Sequence, residues 1–309
     1  MKKMIYQSLL MFAGLLITVH LNATVYRVNN NPGIDADYES FSAAIADVNP
    51  GDTLYLEGSP LSYGNIVFTK PLVVFGPGYF LEENPETQVN KISAKVGSVT
   101  FNSGGVGSKI MGLEVQNTTI IKASDISITY CRTKSIEFDP SVSITNIHIS
   151  RNYIYGNNVG LYYNDSFFIN GLMVTNNYIQ KNSTSDAVSL NDYVTAVFNN
   201  NIFVGDVNAY NSTFSNNIQT YENQGIHNNT YFNNIGSSDQ FPADNGNQQY
   251  VNMDAVLVGP TGNTTDGQWQ LKTGSPAFGA GVDGVDCGIF GEPLPMYCPV
   301  CRQFQRFMK

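Results

Sequence analysis

Two octapeptides in the middle of the chain decide its fold, IHISRNYI at 147–154 and LMVTNNYI at 172–179. They correspond position by position at an offset of 25 residues. In each, apolar and polar residues alternate as in a β-strand that buries one side, and a second short strand follows a polar pair. A recurring unit of this kind predicts a solenoid in which each repeat forms one coil. Shorter echoes of the unit occur at 126–131, 197–202, 214–218 and 226–231.

Asparagine is concentrated in this repetitive region, with 22 Asn among residues 146–234. Asn tolerates the left-handed backbone conformation better than most residues, so it suits a chain that bends sharply at the same point in every coil. Coils stacked about 4.8 Å apart would also align the amides for hydrogen bonding along the stack. Asn-rich tracts can instead be disordered. The regular alternation of Asn with Ile, Val, Phe and Tyr favours the ordered stack.

The region before the repeats predicts a capped end. Residues 24–28 alternate like a strand, and residues 38–48 then place apolar side chains on one face of a helix. Asp37 can serve as its N-cap, and 49–52 (NPGD) ends it. Short strand-like runs follow at 53–56, 65–68 and 72–75. We expect the helix to cover the first coil, because an open sheet edge would pair with other chains.

The N-terminus has the layout of a secretory signal peptide, since Lys2 and Lys3 precede a short apolar run at 9–19 and Ala23 follows. We therefore expect cleavage after residue 23 and a secreted, periplasmic or cell-surface protein; an uncleaved anchor is the alternative. The predicted domains are a signal peptide (1–23), a β-helix (24–291) and a C-terminal tail (292–309).

The tail contains Cys298 and Cys301 with the CxxC spacing of zinc and redox motifs. No second CxxC is present in the sequence, which favours free or locally paired thiols.

Charge excludes some classes of function. The chain has 16 Lys and Arg against 25 Asp and Glu, and its formal net charge is -9. Nucleic-acid binding needs clustered basic residues, and here the basic residues are scattered along the chain. An acidic protein would also repel an acidic polysaccharide unless calcium or a local basic groove intervened. Neutral glycan, or calcium-dependent binding, is therefore favoured over direct capture of uronate.

Both ends of the predicted β-helix resemble a known family. Residues 37–56, with PGDTLYL at 50–56, and KPLVVFGPG at 70–78 are similar to the opening of secreted proteins of the pectate-lyase-like superfamily. Residues 268–281 (QWQLKTGSPAFGAG) and 286–291 (DCGIFG) are similar to the close of many such bacterial proteins. The resemblance implies an all-β, right-handed, single-stranded parallel β-helix with an N-terminal capping α-helix. These motifs are specific for fold and weak for activity.

The resemblance also implies what an active site would contain. Lyases on this fold use an Arg or Lys base, often with acidic residues that hold calcium, and hydrolases use clustered Asp pairs. The motif strings of the polygalacturonases (NTD, DD, GHG, RIK) and of the pectate lyases (RxPxxR) are absent from the sequence.

The best remaining constellation lies in the central coils. Its candidate catalytic residues are Arg151 and Lys181, and its candidate substrate-binding residues are Asp165, Asp186, Asp192 and Tyr162. Solvated turn charges are the simpler interpretation of these residues. The neighbouring aromatics, which could stack on sugar rings or pack in the core, are Tyr153, Tyr155, Tyr162, Tyr163, Tyr178 and Tyr193.

Three functions remain open at this point. The first is a secreted or cell-surface β-helix that binds or organises polysaccharide, with no identifiable catalytic motif. The second is a polysaccharide lyase that acts by β-elimination with an Arg or Lys base. No cofactor is certain from the sequence, and the resemblance implies calcium as the candidate. The third is an adhesin or structural solenoid. A groove that joined Arg151 or Lys181 to two of the Asp residues would favour the lyase, whereas a flat polar face would not.

Overall fold

The computed structural model describes residues 23–84, 90–156, 159–180, 186–221, 227–262 and 264–290. Over these residues the chain winds into a parallel β-helix, in which successive strands on each face pair in parallel. The predicted all-β solenoid is therefore confirmed. The predicted signal peptide lies outside the described residues except for Ala23, and the predicted tail lies outside them entirely. None of the helices in the described part of the chain has the length and apolar character that a membrane crossing requires.

One side of each coil, which we name face A, is a ten-stranded sheet. Its strands are β1 (Val25–Val28), β2 (Thr53–Leu56), β4 (Val73–Phe75), β7 (Lys109–Met111), β9 (Ser127–Thr129), β11 (Ile144–Ser150), β14 (Ile169–Thr175), β17 (Val194–Asn199), β20 (Thr213–Ser215) and β22 (Thr230–Phe232). Ile147 of β11 pairs with Leu172 of β14, and Ile149 pairs with Val174. The offset of 25 residues between the two octapeptides is thus one full coil.

The other two sides, faces B and C, belong to one 13-stranded sheet. Face B contains β5 (Lys95–Val96), β12 (Tyr153–Ile154), β15 (Tyr178–Gln180), β18 (Ile202–Val204), β21 (Ile218–Gln219) and β23 (Ile235–Gly236). Face C contains β3 (Ile66–Phe68), β6 (Val99–Phe101), β13 (Leu161–Tyr163), β16 (Val188–Leu190) and β19 (Val207–Asn208). The longer strands β8 (Glu114–Ile121) and β10 (Arg132–Phe138) run from face B into face C. The chain therefore passes from A to B to C in each central coil.

Columns of like side chains fill the interior. Phe68 and Phe101 stack on neighbouring strands of face C with ring centroids 4.6 Å apart, and Phe198 and Phe214 do the same on face A. All four rings are fully buried. Burying such a side chain contributes roughly 1.5–3 kcal/mol relative to leaving it exposed. A stack of equivalent side chains at every coil is the main source of stability in this fold.

The predicted capping helix is α1 (Phe41–Asp47), and it closes the N-terminal end of the solenoid. Phe41 is buried, with its ring centroid 6.1 Å from that of Phe68. Its N-cap is Ser40, whose Oγ accepts a hydrogen bond from the Ala43 main chain at 3.2 Å. The prediction of Asp37 as N-cap is therefore wrong. Asp37 instead accepts a hydrogen bond from the main chain of β1.

The C-terminal end of the solenoid is closed by the segment that follows β23. Phe241 in this segment is fully buried and lies edge-to-face against Tyr231 of β22 at 5.8 Å. Both ends of the column are therefore covered by an apolar side chain from outside the strands.

The corner between faces A and B repeats a two-residue bend. Its first residue is in the left-handed conformation in five successive coils, with φ between 53° and 58°. These residues are Arg151, Asn176, Asn200, Asn216 and Asn233. This is the conformation that the Asn content predicted for the corner.

The second residue of each of these bends is a fully buried Asn, and Asn247, which is partly exposed, extends the row into a ladder of six asparagines. Its members are Asn152, Asn177, Asn201, Asn217, Asn234 and Asn247. At each step the Nδ2 of one Asn donates to the Oδ1 of the next at 2.9–3.1 Å. The same Oδ1 also accepts the main-chain N–H of the preceding Asn at 2.8–3.0 Å. The predicted hydrogen bonding of amides along the stack is confirmed.

The segment 251–290, which we name the C-terminal strap, packs against the outer side of face B. It contains α2 (Met253–Val256), and its Trp269 ring lies 4.4 Å from that of Tyr178. Further along, the Asp286 and Ala280 carbonyl oxygens accept hydrogen bonds at 2.8 Å from the corner residues Asn200 and Asn233. The sequence suggested that this segment only ends the coil. In the structure it forms a second apolar core outside the solenoid, between itself and face B.

Candidate functional site

Face C presents a regular outward column of side chains in the central coils. Glu137 pairs with Tyr162, Tyr162 with Ser189, and Ser189 with Asn208. We name these four residues the face C column. The residues on either side of Tyr162 in β13, Leu161 and Tyr163, point into the core and are buried, whereas Tyr162 is 38% exposed. An exposed aromatic ring thus stands between hydrogen-bonding side chains on the outer side of face C.

Asp186 lies at the start of this column, at the corner between faces B and C. Its Oδ2 accepts a hydrogen bond from Asn208 Nδ2 at 2.8 Å. In the next coil the main-chain oxygen of Asp206 accepts a hydrogen bond from Ala187 at 2.8 Å, so Asp206 stacks beside Asp186. The structure therefore brings Asp186 to the same face as Tyr162.

Asp165 and Asp192 lie together at the opposite end of face C, where the chain turns into face A. Asn191 Nδ2 donates to the Asp165 carbonyl oxygen at 2.6 Å and so joins the two turns. Phe168 and Tyr193 follow in the same turns, with ring centroids 5.2 Å apart. We name Asp165, Phe168, Asn191, Asp192 and Tyr193 the corner patch.

The corner patch is held by the strands around it. Tyr163 points inward, and its hydroxyl donates to the Phe167 carbonyl oxygen at 2.6 Å and accepts from the Phe167 N–H at 3.0 Å. Burial raises the pKa of Tyr163, so this hydroxyl stays neutral at physiological pH. The Ile169 N–H donates to the Tyr193 carbonyl oxygen at 3.0 Å. The turns are therefore fixed at both ends, which fixes the position of Phe168.

Arg151 is not part of this arrangement. It occupies the left-handed position at the A–B corner, with φ 56°, and its guanidinium lies over the Tyr130 ring at 5.8 Å. The ion pairs within the described residues are Arg27–Glu57, Lys122–Asp139 and Arg132–Glu114. The structure thus places Arg151 at a different corner from Asp165, Asp186 and Asp192. The other candidate base, Lys181, lies outside the described residues.

The tyrosines near the site divide by environment. Tyr153 and Tyr178 stack at 4.6 Å on the outer side of face B, where the strap buries them. Tyr155 lies beside them under the guanidinium of Arg132 at 4.4 Å. Tyr163 points into the core of face C, so among the six predicted tyrosines Tyr162 and Tyr193 are the two whose rings lie outside at the face and corner that carry the acidic candidates.

The acidic side chains of the described residues are dispersed rather than clustered. Among them, no group of three or more Asp, Glu, His or Cys side chains converges as a metal ion would need. The carboxylates of the central coils are instead spread along face C, with Asp186 at one end and Asp165 and Asp192 at the other. The arrangement offers hydrogen-bond acceptors beside aromatic rings.

Sequence reasoning missed Phe168, Asn191 and Glu137. Coil spacing could have found Phe168, because it precedes Tyr193 by 25 residues, the same offset as the two octapeptides. The same offset of 25 residues separates Glu137 from Tyr162, so coil spacing could have found Glu137 as well, although faces A and B of that coil are spaced by 21 residues.

Comparison with known proteins gives a likeness of fold. The structure is similar to the crystal structure of pectate lyase Pel9A, with a TM-score of 0.41 and 15% sequence identity, over 87% of this chain and 96% of that one. No protein-family profile and no curated protein sequence matches this chain. The strand pairings define the parallel β-helix independently of this likeness.

Proposed function

We propose that the protein acts outside the cell, where face C binds polysaccharide and holds it along the solenoid. One observation carries the proposal: Tyr162 stands exposed in a column of polar side chains on face C, with carboxylates at both ends of that face. Aromatic rings offer an apolar face to the C–H side of a sugar, and neighbouring carboxylates and amides accept and donate hydrogen bonds to its hydroxyls. The signal-like residues 1–23 support export.

Binding without bond cleavage is the function that these side chains support. A lyase needs a base within hydrogen-bond reach of the proton that it removes. Arg151 sits on the Tyr130 ring at the A–B corner, so it does not face the carboxylates of face C. The face C column combines the exposed ring of Tyr162 with the polar side chains of Glu137, Ser189 and Asn208, as expected of a surface that holds a glycan chain.

Affinity electrophoresis through gels that contain glucan, xylan, mannan, polygalacturonate or alginate tests the proposal. We expect the protein to be retarded by at least one polymer and Tyr162→Ala to weaken the retardation about fivefold, the effect of losing roughly 1 kcal/mol of ring contact. Tyr250→Ala, at a residue that is 70% exposed in the segment after β23, is the matched control. Absence of retardation by every polymer would refute the proposal.

A second measurement separates binding from cleavage. The same polymers are incubated with the protein, with and without calcium, while the absorbance of unsaturated sugar products is followed. We expect no product under either condition. Product formation would show that the chain is a lyase and that its base lies elsewhere than Arg151.

A further inference from the structure

We propose that the corner patch stacks a neutral pyranose ring on Phe168 and thereby selects neutral polysaccharide over uronic-acid polymers. The inference rests on the proposed function, since it names the class of glycan that face C would hold. It concerns residues beyond the face C column, in the turns between faces C and A.

The first support is the exposure and fixation of Phe168. Its side chain is 53% exposed although it sits next to the strand β14. Its main-chain N–H donates to Ser143 Oγ at 3.1 Å, and its carbonyl oxygen accepts from Ile144 at 2.9 Å. Tyr193 supports the ring from the next coil at an interplanar angle of 61°. Because the main chain of Phe168 is held by hydrogen bonds and its ring is held by Tyr193, the ring is a preformed platform. It loses little conformational entropy when a ligand stacks on it.

The second support is the position of the acceptors. The Oδ1 of Asp165 accepts hydrogen bonds from the main-chain N–H of Ser166 at 2.6 Å and from its hydroxyl at 3.3 Å. No described residue donates to the other oxygen of Asp165 or to the carboxylate of Asp192, and both residues are exposed. These oxygens can accept hydrogen bonds from sugar hydroxyls beside the Phe168 ring.

The third support is charge. A neutral sugar meets the two carboxylates as a hydrogen-bond donor, whereas a uronate would bring a third negative charge next to them. Two like charges about 4 Å apart in water repel by about 1 kcal/mol, so two such carboxylates disfavour uronate by on the order of tenfold or more. The Phe168 ring and the neighbouring carboxylates of Asp165 and Asp192 therefore both favour a neutral sugar over a uronate.

Isothermal titration calorimetry with cellohexaose, xylohexaose, mannohexaose and hexagalacturonate tests the inference. We expect at least one neutral hexasaccharide to bind more tightly than hexagalacturonate. Phe168→Ala should weaken its binding about five- to tenfold. Phe168→Leu, which keeps an apolar side chain without a ring face, should weaken it by nearly as much, whereas Phe168→Tyr should keep it. Phe278→Ala, at an equally exposed Phe of the strap (50%), is the matched control.

The charge argument has its own variant. Asp165→Asn with Asp192→Asn removes two negative charges, and we expect it to raise the affinity for hexagalacturonate relative to the neutral hexasaccharides. Thermal unfolding of each variant, compared with the unmodified protein, checks that the solenoid is intact.

The outcomes separate this inference from the proposed function. Tighter binding of hexagalacturonate than of every neutral sugar would overturn the inference, and so would neutral binding that Phe168→Ala leaves unchanged. In both cases the proposed polysaccharide binding would stand. Only a complete lack of binding, by hexasaccharides and by the polymer gels, would refute both.

Discussion

Asn177 lies in the middle of the asparagine ladder, and its replacement by alanine tests how much the ladder stabilises the solenoid. Its Oδ1 accepts hydrogen bonds from the main-chain N–H of Asn152 at 2.9 Å and from Asn152 Nδ2 at 3.0 Å. Its Nδ2 donates to Asn201 Oδ1 at 3.1 Å and to the Ile149 carbonyl oxygen at 2.8 Å. The residue is 0% exposed, so water does not reach these groups.

The size of the effect follows from the groups that Asn177→Ala leaves without a partner. The Asn152 main-chain N–H and one of the two N–H groups of Asn152 Nδ2 lose their acceptor, while the other keeps the Ile128 carbonyl oxygen at 2.8 Å. A buried N–H without an acceptor costs about 1–3 kcal/mol. Asn201 Oδ1 still accepts the main-chain N–H of residue 177 at 2.9 Å, so we do not count it. We therefore expect the free energy of unfolding to fall by about 2–6 kcal/mol, a large part of the stability of an ordinary domain.

Urea unfolding followed by circular dichroism measures this change. Asn170→Ala is the matched control, because Asn170 lies in β14 of the same coil but is exposed. It should change the free energy of unfolding by no more than about 0.5 kcal/mol. A loss for Asn177→Ala as small as that of the control would refute the reasoning, since it would mean that the corner relaxes to satisfy the Asn152 donors.

Three further predictions concern the strap and the buried side chains. Trp269→Ala removes the ring that covers Tyr178 and should lower the free energy of unfolding by about 2 kcal/mol, less than for a fully buried Trp. Limited proteolysis should then cut the strap faster. An unchanged rate of cleavage would contradict the role of Trp269 in packing the strap. Burial raises the pKa of Cys131 and of Cys287 to about 12, so that about one thiol in ten thousand is ionised at pH 8. Iodoacetamide should therefore label both thiols only in urea, as measured by peptide mass spectrometry. Labelling of these two residues in the native protein would argue against their burial. Burial raises the pKa of Tyr79 above its ordinary value of 10.0, so its stabilising effect is complete below about pH 10 and is lost as the pH rises further. Urea unfolding below and above pH 10 should therefore show a smaller loss of stability for Tyr79→Phe than for the unmodified protein, and equal losses would contradict this.

The sequence repeats predicted the solenoid because the features that form a coil, its strands and its corner bend, are each encoded within one repeat. The pairing of Ile147 with Leu172 and the bend at Asn176 both follow from the octapeptides alone. A left-handed residue and a buried amide must recur at every bend, so sequence and geometry share one period. In the later coils the period shortens: Phe198 pairs with Phe214 only 16 residues on. The predicted repeat at 226–231 therefore does not align with the octapeptides, because the ladder residue of that coil is Asn234.

The outer side of face B could not be predicted from the same pattern. Alternation identifies a strand that buries one side, but β12 and β15 bury both sides. Tyr153 and Tyr178 lie outside the solenoid and are nonetheless buried, because a segment about 100 residues further along the chain covers them. That contact depends on the path of the strap, which no local signal records.

The candidate site was predicted in part for a similar reason. Arg151 is 25 residues before Asn176, and the structure places both residues in the left-handed position of neighbouring corners. Asp165 and Asp192 are 27 residues apart, close to one coil, and the structure does bring their turns together through Asn191. Coil spacing therefore identified which residues are neighbours along the stack. It did not identify which face of the coil a residue occupies, because that depends on the number of residues in each turn.

The strap also determines where a ligand can bind. It covers the outer side of face B, so a polysaccharide in contact with the central coils must lie on face A or face C. On face A the outward residues of the central strands include His148, Met173 and Val197, which pair with one another. Met173 and Val197 have no ring to stack on a sugar. Face C instead combines an exposed ring at Tyr162 with carboxylates at both ends. The strap on face B and the side chains of face C thus both favour face C as the binding surface. Binding of a glycan to face A instead would be unaffected by Tyr162→Ala and by every substitution in the corner patch.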